Sequence, residues 1–307
     1  MSIIITFPLN KILKLFILPI IFFSCNNESV DIKILQNEGN DDQEYEVVNI
    51  ESNWFRVSYL QNKTYSIEEP QSSQYNVSYL LIGDNKSIMF DTGSGENTPE
   101  NGFKIKHITD QLTDKPLSLL LSHFHFDHNQ NISEFYSVAF PDLTFLRQRV
   151  SNSDIYTFTS EDLFIGNTPN QTQVSEWLPV NTDIDLGNRV IQLVNIPGHT
   201  EESIAIVDKT NKAAFLGDYL YNGALFLFDN DDISVYKESV DYLISILNSN
   251  YKLYGAHGAP EIAYDKLKEL KNFLDCIIQN NCVPLATNIW GYDVWVYQYQ
   301  SMQMIVF

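Results

Sequence analysis

The chain has 307 residues, of which 44% are hydrophobic and 19% charged, a composition typical of a globular protein with a large buried core. Its 39 acidic residues outnumber the 19 basic residues and give a formal net charge of −20 at pH 7. Such a surface repels the phosphate backbone of nucleic acids, so nucleic acid is excluded as a predicted partner. One folded domain with attached segments is the expected organisation.

The N-terminal residues predict export. Lys11 and Lys14 precede an apolar run, Leu15 to Phe23, which is too short for a comfortable membrane span and is typical of a signal peptide ending at residue 24. The sequence Phe22-Phe23-Ser24-Cys25 resembles a bacterial lipobox, whose cysteine is lipidated and begins the mature protein. We therefore predict an exported lipoprotein, periplasmic or on the cell surface, that contacts a bacterial membrane through a lipid on Cys25. A plain cleaved signal and an uncleaved anchor are the alternatives.

Short strand patterns and helical patterns alternate after a polar, acidic stretch at residues 25–49, which predicts a solvated tether. The predicted strands are Trp54–Ser58, Val77–Ile82, Ser87–Phe90, Leu117–Leu121, Arg189–Ile196, Ser203–Val207, Ala213–Leu216 and Lys252–Tyr254. The predicted helices are Gly102–Leu112, Ile233–Leu247 and Glu261–Ile278. This mixture predicts an α/β or α+β layered domain over residues 50–285, with the helices outside.

The tail at residues 286–307 is rich in aromatic and β-branched residues that alternate along the chain. This pattern predicts a hairpin or edge strands packed on the domain. A substrate-binding surface is the alternative interpretation, and packing in the core is favoured because aromatic residues are usually buried.

Export would place Cys276 and Cys282 in an oxidising compartment, where they could form a disulfide. A continuous helix through both would hold them too far apart, but Gln279-Asn280-Asn281 is typical of a helix end that returns the chain. The sequence therefore allows two alternatives for Cys276 and Cys282, a disulfide and a pair of inert buried thiols.

Five of the six histidines fall in short motifs at predicted strand ends or loops, whereas His107 on a predicted helix is interpreted as structural. The densest motif is Ser122-His123-Phe124-His125-Phe126-Asp127-His128. Alternate side chains of an extended backbone face one way, so His123, His125 and Asp127 could converge before the chain turns at His128. Imidazole and carboxylate groups suit catalytic zinc, and the absence of cysteine from the motif argues against a closed structural zinc site.

Three further motifs each follow a predicted strand: Pro197-Gly198-His199-Thr200, Leu216-Gly217-Asp218 and Gly255-Ala256-His257-Gly258. Small residues beside each candidate ligand let the backbone turn tightly and approach a metal. Upstream, Phe90-Asp91-Thr92-Gly93 also ends a strand and places another carboxylate in the same region.

In identity, spacing and order these five motifs resemble those of the metallo-β-lactamase superfamily, over roughly residues 50 to 285. The resemblance implies a four-layer αβ/βα sandwich, with two sheets face to face, helices outside and two metals at one edge. It implies that His123, His125 and His199 bind one metal and that Asp127, His128 and His257 bind the second. It also implies that Asp218 bridges both metals, whereas Asp91 supports the site without binding either. Gln130, where many members have glycine, and Gly255-Ala256, where Pro-Gly is commoner, depart from the family pattern.

The resemblance implies a metal-dependent hydrolase that acts on a small molecule. Two divalent ions, zinc being favoured over iron or manganese, would lower the pKa of a bridging water to about 7 and supply hydroxide as the nucleophile. Zinc β-lactamases usually carry cysteine or serine at the position of Asp218, so the closer resemblance is to glyoxalase II-like and lactonase-like hydrolases of esters, thioesters or lactones. Asp127, Asp218 and Tyr221 are the candidate catalytic residues.

Tyr221 follows Asp218 by three residues, a spacing similar to that in quorum-quenching lactonases, whose tyrosine reaches the substrate carbonyl. An ordinary half-buried tyrosine is the alternative. The alternative functions are a β-lactamase-type amide hydrolase, a mononuclear iron enzyme similar to persulfide dioxygenases, and a surface binding protein with a metal site. The oligomeric state is left open.

Overall fold

The computed structural model describes residues 34–36, 45–50, 52–96, 104–229 and 232–307. The predicted signal peptide, Cys25 and most of the acidic tether lie outside these residues, so their interpretation stays a prediction. Among the residues that are described, no helix combines the length and the apolar character needed to cross a membrane.

The structure is a mixture of strands and short helices. In chain order the strands are β1 Glu46–Val47, β2 Arg56–Gln61, β3 Thr64–Glu69, β4 Asn76–Ile82, β5 Ser87–Phe90, β6 Leu117–Leu120, β7 Val138–Pro141, β8 Ile155–Thr157, β9 Gln171–Gln173, β10 Glu176–Leu178, β11 Asp183–Asp185, β12 Val190–Asn195, β13 Ile204–Asp208, β14 Ala213–Phe215, β15 Ala224–Leu227, β16 Lys252–Tyr254, β17 Glu261–Ile262, β18 Leu285–Ile289, β19 Tyr292–Tyr299 and β20 Met302–Val306. The α-helices are α1 Ile105–Leu112, α2 Phe126–Asn129, α3 Thr144–Arg149, α4 Ser160–Leu163, α5 Asp232–Ile246 and α6 Asp265–Ile278, and 3-10 turns lie at Ile132–Glu134 and Gly217–Tyr219.

Two large sheets form the body. The first has the order β1-β2-β3-β4-β5-β6-β7-β10, and the second has the order β11-β12-β13-β14-β16-β17. A third sheet, which we call the C-terminal sheet, has the order β15-β20-β19-β18 and combines the tail with one strand from the middle of the chain. The strands β15 and β20 are parallel, with Ala224 opposite Gln303.

Three apolar clusters show the layering. One fills the space between the two large sheets, where Tyr79 and Phe90 of the first meet Phe215 and Tyr254 of the second. The outer face of the first sheet packs on α1 and α3, and the outer face of the second packs on α5, α6 and the C-terminal sheet. The predicted sandwich with helices outside is therefore confirmed, because each sheet buries both of its faces.

The last long helix begins later than predicted. Residues Glu261–Ile262 form β17, which pairs with β16, and the helix starts at Asp265. Over a stretch as short as Glu261–Ile262, the apolar pattern fits the period of a helix and that of a strand equally well. Pairing with β16 decides in favour of a strand. The tail forms strands β18 to β20, which pair with β15 and pack on the body through Met302, Met304 and Val306.

Cys276 and Cys282 form a disulfide with a Cα–Cα distance of 5.3 Å. The helix ends at Ile278, and Asn280 adopts a left-handed φ of 57° that turns the chain. The N–H groups of Asn281 and Cys282 then donate to the carbonyl of Cys276 at 2.9 and 3.2 Å. The predicted helix end at Gln279-Asn280-Asn281 is therefore what brings the two sulfurs together.

Arg189 joins the two large sheets. Its guanidinium donates to Asp208 Oδ2 at 2.8 Å, to Thr64 Oγ1 at 2.7 Å and to the carbonyls of Lys63 and Ile82 at 3.1 and 3.2 Å. Arg189 is 3% exposed and Asp208 is fully buried. The side chain therefore connects β13 of the second sheet to β3 and β4 of the first.

Candidate metal centre

The predicted ligands meet at one edge of the sandwich because each follows a strand that ends there. The motif at residues 122–128 follows β6, and Asp91 follows the parallel neighbour β5. The other candidate ligands follow β12, β14 and β16 of the second sheet. All of them are buried, with exposures between 1% and 7%: His123, His125, Asp127, His128, His199, Asp218 and His257.

The side chains form overlapping groups in which the ligand atoms lie within 4.8 Å of one another. These groups are His123/His125/His199, His123/His128/Asp218 and Asp127/His128/His257. The first and third are the two triads that the family resemblance implies.

Asp218 lies between these triads. Its Oδ1 is 3.2 Å from His128 Nε2 and 3.0 Å from His257 Nε2, while its Oδ2 is 3.6 Å from His199 Nε2 and 4.0 Å from His123 Nε2. One carboxylate therefore faces imidazoles of both triads, which is the geometry that a bridging ligand requires.

Most of the imidazoles are oriented through their second ring nitrogen. His123 Nδ1 lies 3.0 Å from Ser122 Oγ, His199 Nδ1 lies 2.8 Å from the carbonyl of Phe226, and His257 Nδ1 lies 3.1 Å from the carbonyl of Gln74. An acceptor at Nδ1 fixes the tautomer that leaves Nε2 free to bind a metal.

Asp91, for which the family resemblance implies a supporting role, contacts the loop that carries the histidine motif. Its Oδ1 accepts the N–H of Ser122 at 2.6 Å, and its Oδ2 lies 3.2 Å from His128 Nδ1. Asp91 has a φ of 68°, a left-handed conformation that non-glycine residues seldom adopt. This turn aims the carboxylate at the histidine loop, so Asp91 is a positioning residue.

Gln74 and Asn76 belong to the site but carry no signal in the sequence. Gln74 Nε2 donates to Asp127 Oδ2 at 2.8 Å, and Asn76 Nδ2 donates to the same oxygen at 3.1 Å and to the Asp127 carbonyl at 3.0 Å. Asn76 begins β4 and Gln74 lies in the turn just before it, so both hold the carboxylate of Asp127 from a segment that is distant in sequence from α2.

Glu202 is a second positioning residue that the sequence did not reveal. Its Oε1 accepts the N–H of Phe124, which lies between the candidate ligands His123 and His125, at 3.0 Å. Burial raises the pKa of Glu202 to about 7. The sequence offered one signal for Glu202, which is its position three residues after His199. A loop that carries His199 to the motif at residues 122–128 would also bring Glu202 close to that motif.

A tight approach near Ser122 depends on Gly217. Gly217 has a φ of 56°, and a Cβ there would lie 2.6 Å from the Cβ of Ser122. Glycine therefore allows the loop that carries Asp218 to reach the loop that carries His123.

The donor set fits divalent metal ions. His123 Nε2, His128 Nε2 and Asp218 Oδ1 are buried without a hydrogen bond among the described residues, an arrangement that is costly unless another group satisfies them. Burial holds the pKa of His123 well below its usual value, so its imidazole is neutral, as a metal ligand must be. Burial opposes ionisation of Asp127, but His128 and His257 lower its pKa to about 2. Nitrogen and oxygen donors of this kind suit zinc, iron and manganese.

Tyr221 is buried beside the centre. Its ring packs edge-on against His257 with a centroid distance of 5.0 Å, and its hydroxyl donates to the carbonyl of Ala224. The residue predicted as an electrophilic donor is therefore close to the second triad, while its proton is engaged by the main chain.

The chain is similar in sequence to known proteins. The sequence model of the metallo-beta-lactamase superfamily matches residues 74–253. The chain is 26% identical to acyl-coenzyme A thioesterase MBLAC2 of Homo sapiens over 193 residues, which cover 56% of this chain and 68% of that protein. It is 24% identical to hydroxyacylglutathione hydrolase of Francisella philomiragia subsp. philomiragia over 189 residues, covering 61% and 64%.

Solved structures show the same fold. A metallo-beta-lactamase from Pontibacter korlensis superposes with a TM-score of 0.54 at 14% identity, covering 72% of this chain and 99% of that one. The structure of TMB-1 gives a TM-score of 0.54 at 15% identity, covering 73% and 99%. The match over residues 74–253, with the sandwich and the grouped ligands, shows that the chain belongs to the metallo-β-lactamase superfamily, whose hydrolases typically bind divalent metals.

Proposed function

We propose that this chain is a binuclear metal hydrolase, most suited to zinc, that cleaves an ester, thioester or lactone of a small molecule. The observation that carries the proposal is Asp218, whose carboxylate oxygens lie 3.0 to 4.0 Å from imidazole nitrogens of both triads. A carboxylate in this position favours a centre in which two metals act on one substrate. The names of the two relatives, a thioesterase and a hydroxyacylglutathione hydrolase, support the thioester and ester class.

The residues of the site would have separate roles in metal binding and in catalysis. Two divalent ions in this site would supply Lewis acidity and a water of lowered pKa. The three histidines His123, His125 and His199 would hold one ion, while Asp127, His128 and His257 would hold the other. Asp127 Oδ2 is kept in place by Gln74 and Asn76, so this carboxylate would be held ready to bind its ion and to orient the nucleophilic water. Burial of the whole donor set excludes bulk water, which strengthens the electrostatic interactions within the site.

Metal quantification and a substrate panel test the proposal together. The protein without residues 1–24 should be prepared in zinc and in iron media and assayed on lactones, thioesters, β-lactams and phosphodiesters. We expect about two zinc ions per chain, with turnover of lactones or thioesters. Iron-dependent oxygen uptake would favour the persulfide dioxygenase alternative, and turnover of β-lactams alone would favour the amide hydrolase. Full metal occupancy without turnover of any substrate would favour the alternative of a surface binding protein with a metal site.

Tyr221→Phe tests the role predicted for this hydroxyl. Because the hydroxyl donates to Ala224 and the ring would keep its contact with His257, we expect kcat to fall by less than about threefold. A fall of about 10²-fold with both metals bound would instead establish Tyr221 as a donor to the substrate carbonyl. Steady-state kinetics and metal analysis of the same preparation measure both quantities.

The proposal of an exported lipoprotein rests on Lys11, Lys14 and the Phe22-Phe23-Ser24-Cys25 sequence. We expect mass spectrometry of the full chain expressed in a bacterium to find an N-terminal, acylated Cys25, and Cys25→Ser to release the protein from the membrane fraction. A mature protein that begins elsewhere, or an unmodified Cys25, would contradict this assignment.

A further inference from the structure

A row of aromatic side chains leads from the metal ligands onto the C-terminal sheet. We call it the aromatic strip, and its members are Phe164, Phe226, Phe228, Trp290, Tyr292 and Phe307. Four of them are half-buried, and Trp290 and Tyr292 are 53% and 52% exposed, so each ring keeps a solvent-facing part.

The strip is continuous with the centre. The ring of Phe228 lies 5.0 Å from His125 and 5.5 Å from His199, and Phe164 lies 5.8 Å from His125. Phe307 stacks on Phe228 at 5.3 Å, which extends the row away from the metals.

The far end of the strip lies on the C-terminal sheet. Phe307 contacts Tyr292 at 5.6 Å and Phe226 at 6.2 Å, and Phe226 stacks on Trp290 at 5.7 Å. An apolar group that starts at the metal ligands could therefore lie on aromatic carbon along its whole length.

Trp290 occupies a position that the backbone does not favour. The strands β18 and β19 pair from Ile289 opposite Tyr292, so Trp290 and Gly291 form a two-residue hairpin turn. Both have positive φ, 54° and 90°, as in a type I′ turn, for which asparagine or aspartate followed by glycine is preferred. A bulky ring held at positive φ costs conformational energy, and such a cost is often found where a side chain serves function.

The strip offers rings rather than charges. Its six members are all phenylalanine, tryptophan or tyrosine, so the strip itself contains no acidic or basic side chain. Asp162, two residues before Phe164 in the chain, accepts from the guanidinium of Arg149 at 2.9 and 2.6 Å. This surface is suited to an uncharged, apolar group.

We propose that the aromatic strip binds the apolar acyl chain of the substrate and that Trp290 sets the preference for chain length. The inference rests on the proposed hydrolase, since the strip begins at His125 and His199. It places a specificity element on strands β18 to β20, beyond the segment matched by the family, which ends at residue 253.

A series of p-nitrophenyl esters that differ only in acyl length tests the strip. From butanoate to octanoate we expect kcat/KM to rise about twofold for each methylene, roughly half the gain of full burial. Trp290→Asn creates the Asn-Gly turn that the backbone prefers, so Tm should stay constant or rise while the ratio of octanoate to butanoate falls at least about threefold.

Trp295→Ala is the matched control. Trp295 lies on the same strand as Tyr292, is 45% exposed, and faces the opposite side of β19 from the buried Val294 and Val296. We expect it to leave the ratio unchanged. A flat series in the wild type, or an equal fall in Trp295→Ala and Trp290→Asn, would overturn the proposal.

Binding without turnover separates this inference from the proposed reaction. Calorimetry with N-methyloctanamide and N-methylacetamide should show tighter binding of the longer amide, and Trp290→Asn should remove most of the difference. If the longer amide bound more tightly but the protein hydrolysed no substrate, the proposed reaction would be refuted and the proposed role of the aromatic strip would stand. Hydrolysis with no difference between the two amides would refute the strip alone.

Discussion

Asp218→Asn should lower kcat/KM for the best substrate by about 10³-fold or more, equivalent to about 4 kcal/mol of transition-state stabilisation. The side chain keeps its size but loses the charge that faces four imidazoles of the centre. Burial would raise the pKa of Asp218, but His257 and His128 lower it well below its usual value, so the native group is a carboxylate. We also expect bound metal, measured by mass spectrometry of the digested protein, to fall from about two ions per chain to about one.

The control for Asp218→Asn is Asp84→Asn. Asp84 is about half exposed and forms a surface ion pair with Lys63 at 2.9 Å, so activity and metal content should match the wild type. Wild-type activity in Asp218→Asn with unchanged metal content would contradict a bridging role. His123→Ala should reproduce the loss through the first triad.

Arg189→Met should lower the free energy of unfolding by about 3–5 kcal/mol, because it leaves the buried carboxylate of Asp208 without its cation. It also removes the hydrogen bonds to Thr64 and to the carbonyls of Lys63 and Ile82, which connect the two large sheets. Urea unfolding followed by circular dichroism, with both proteins in the same metal state, measures the change.

Two comparisons isolate the buried pair. Combining Arg189→Met with Asp208→Leu should recover part of the loss, since no charge is then left uncompensated. Lys63→Ala, which breaks an exposed ion pair, should cost less than about 1 kcal/mol. If Arg189→Met and Lys63→Ala lowered the free energy of unfolding by similar amounts, Arg189 would contribute no more than a surface charge.

The candidate ligands could be identified in the sequence because they stand in short motifs directly after predicted strands, and the family resemblance implied their division between two metals. His199, Asp218 and His257 follow strands of one sheet, whose ends meet at an edge, so local pattern and global geometry agree. The triads recovered by the structure have the membership that the family resemblance implies.

The positioning residues could not be predicted in the same way. Gln74 and Asn76 act on Asp127 across 53 and 51 residues of sequence, and Glu202 acts on Phe124 across 78. No periodicity links such residues, because their meeting depends on strand order and on the path of loops. The start of α6 was also misplaced, since pairing of Ile262 with Leu253 is a tertiary preference.

For the tail at residues 286–307, the sequence allowed either core packing or a binding surface, and different residues of the tail fit each interpretation. Val294, Val296, Met304 and Val306 are buried, as core packing predicts. Trp290 and Tyr292 are about half exposed, as a binding surface would require. Composition could not separate these residues, because alternation fixes the face of a strand only once its partner is known.

The contact between His199 and the carbonyl of Phe226 makes the metal centre depend on the end of the chain. Phe226 lies on β15, and the partner of β15 in its sheet is β20, at Met302–Val306. More than 100 residues of sequence separate His199 from the strand that holds β15 in its sheet. A chain shortened before β20 would therefore keep all seven candidate ligands but lose the strand that supports the partner of His199 Nδ1, so the C-terminal residues contribute to the metal centre without supplying a ligand.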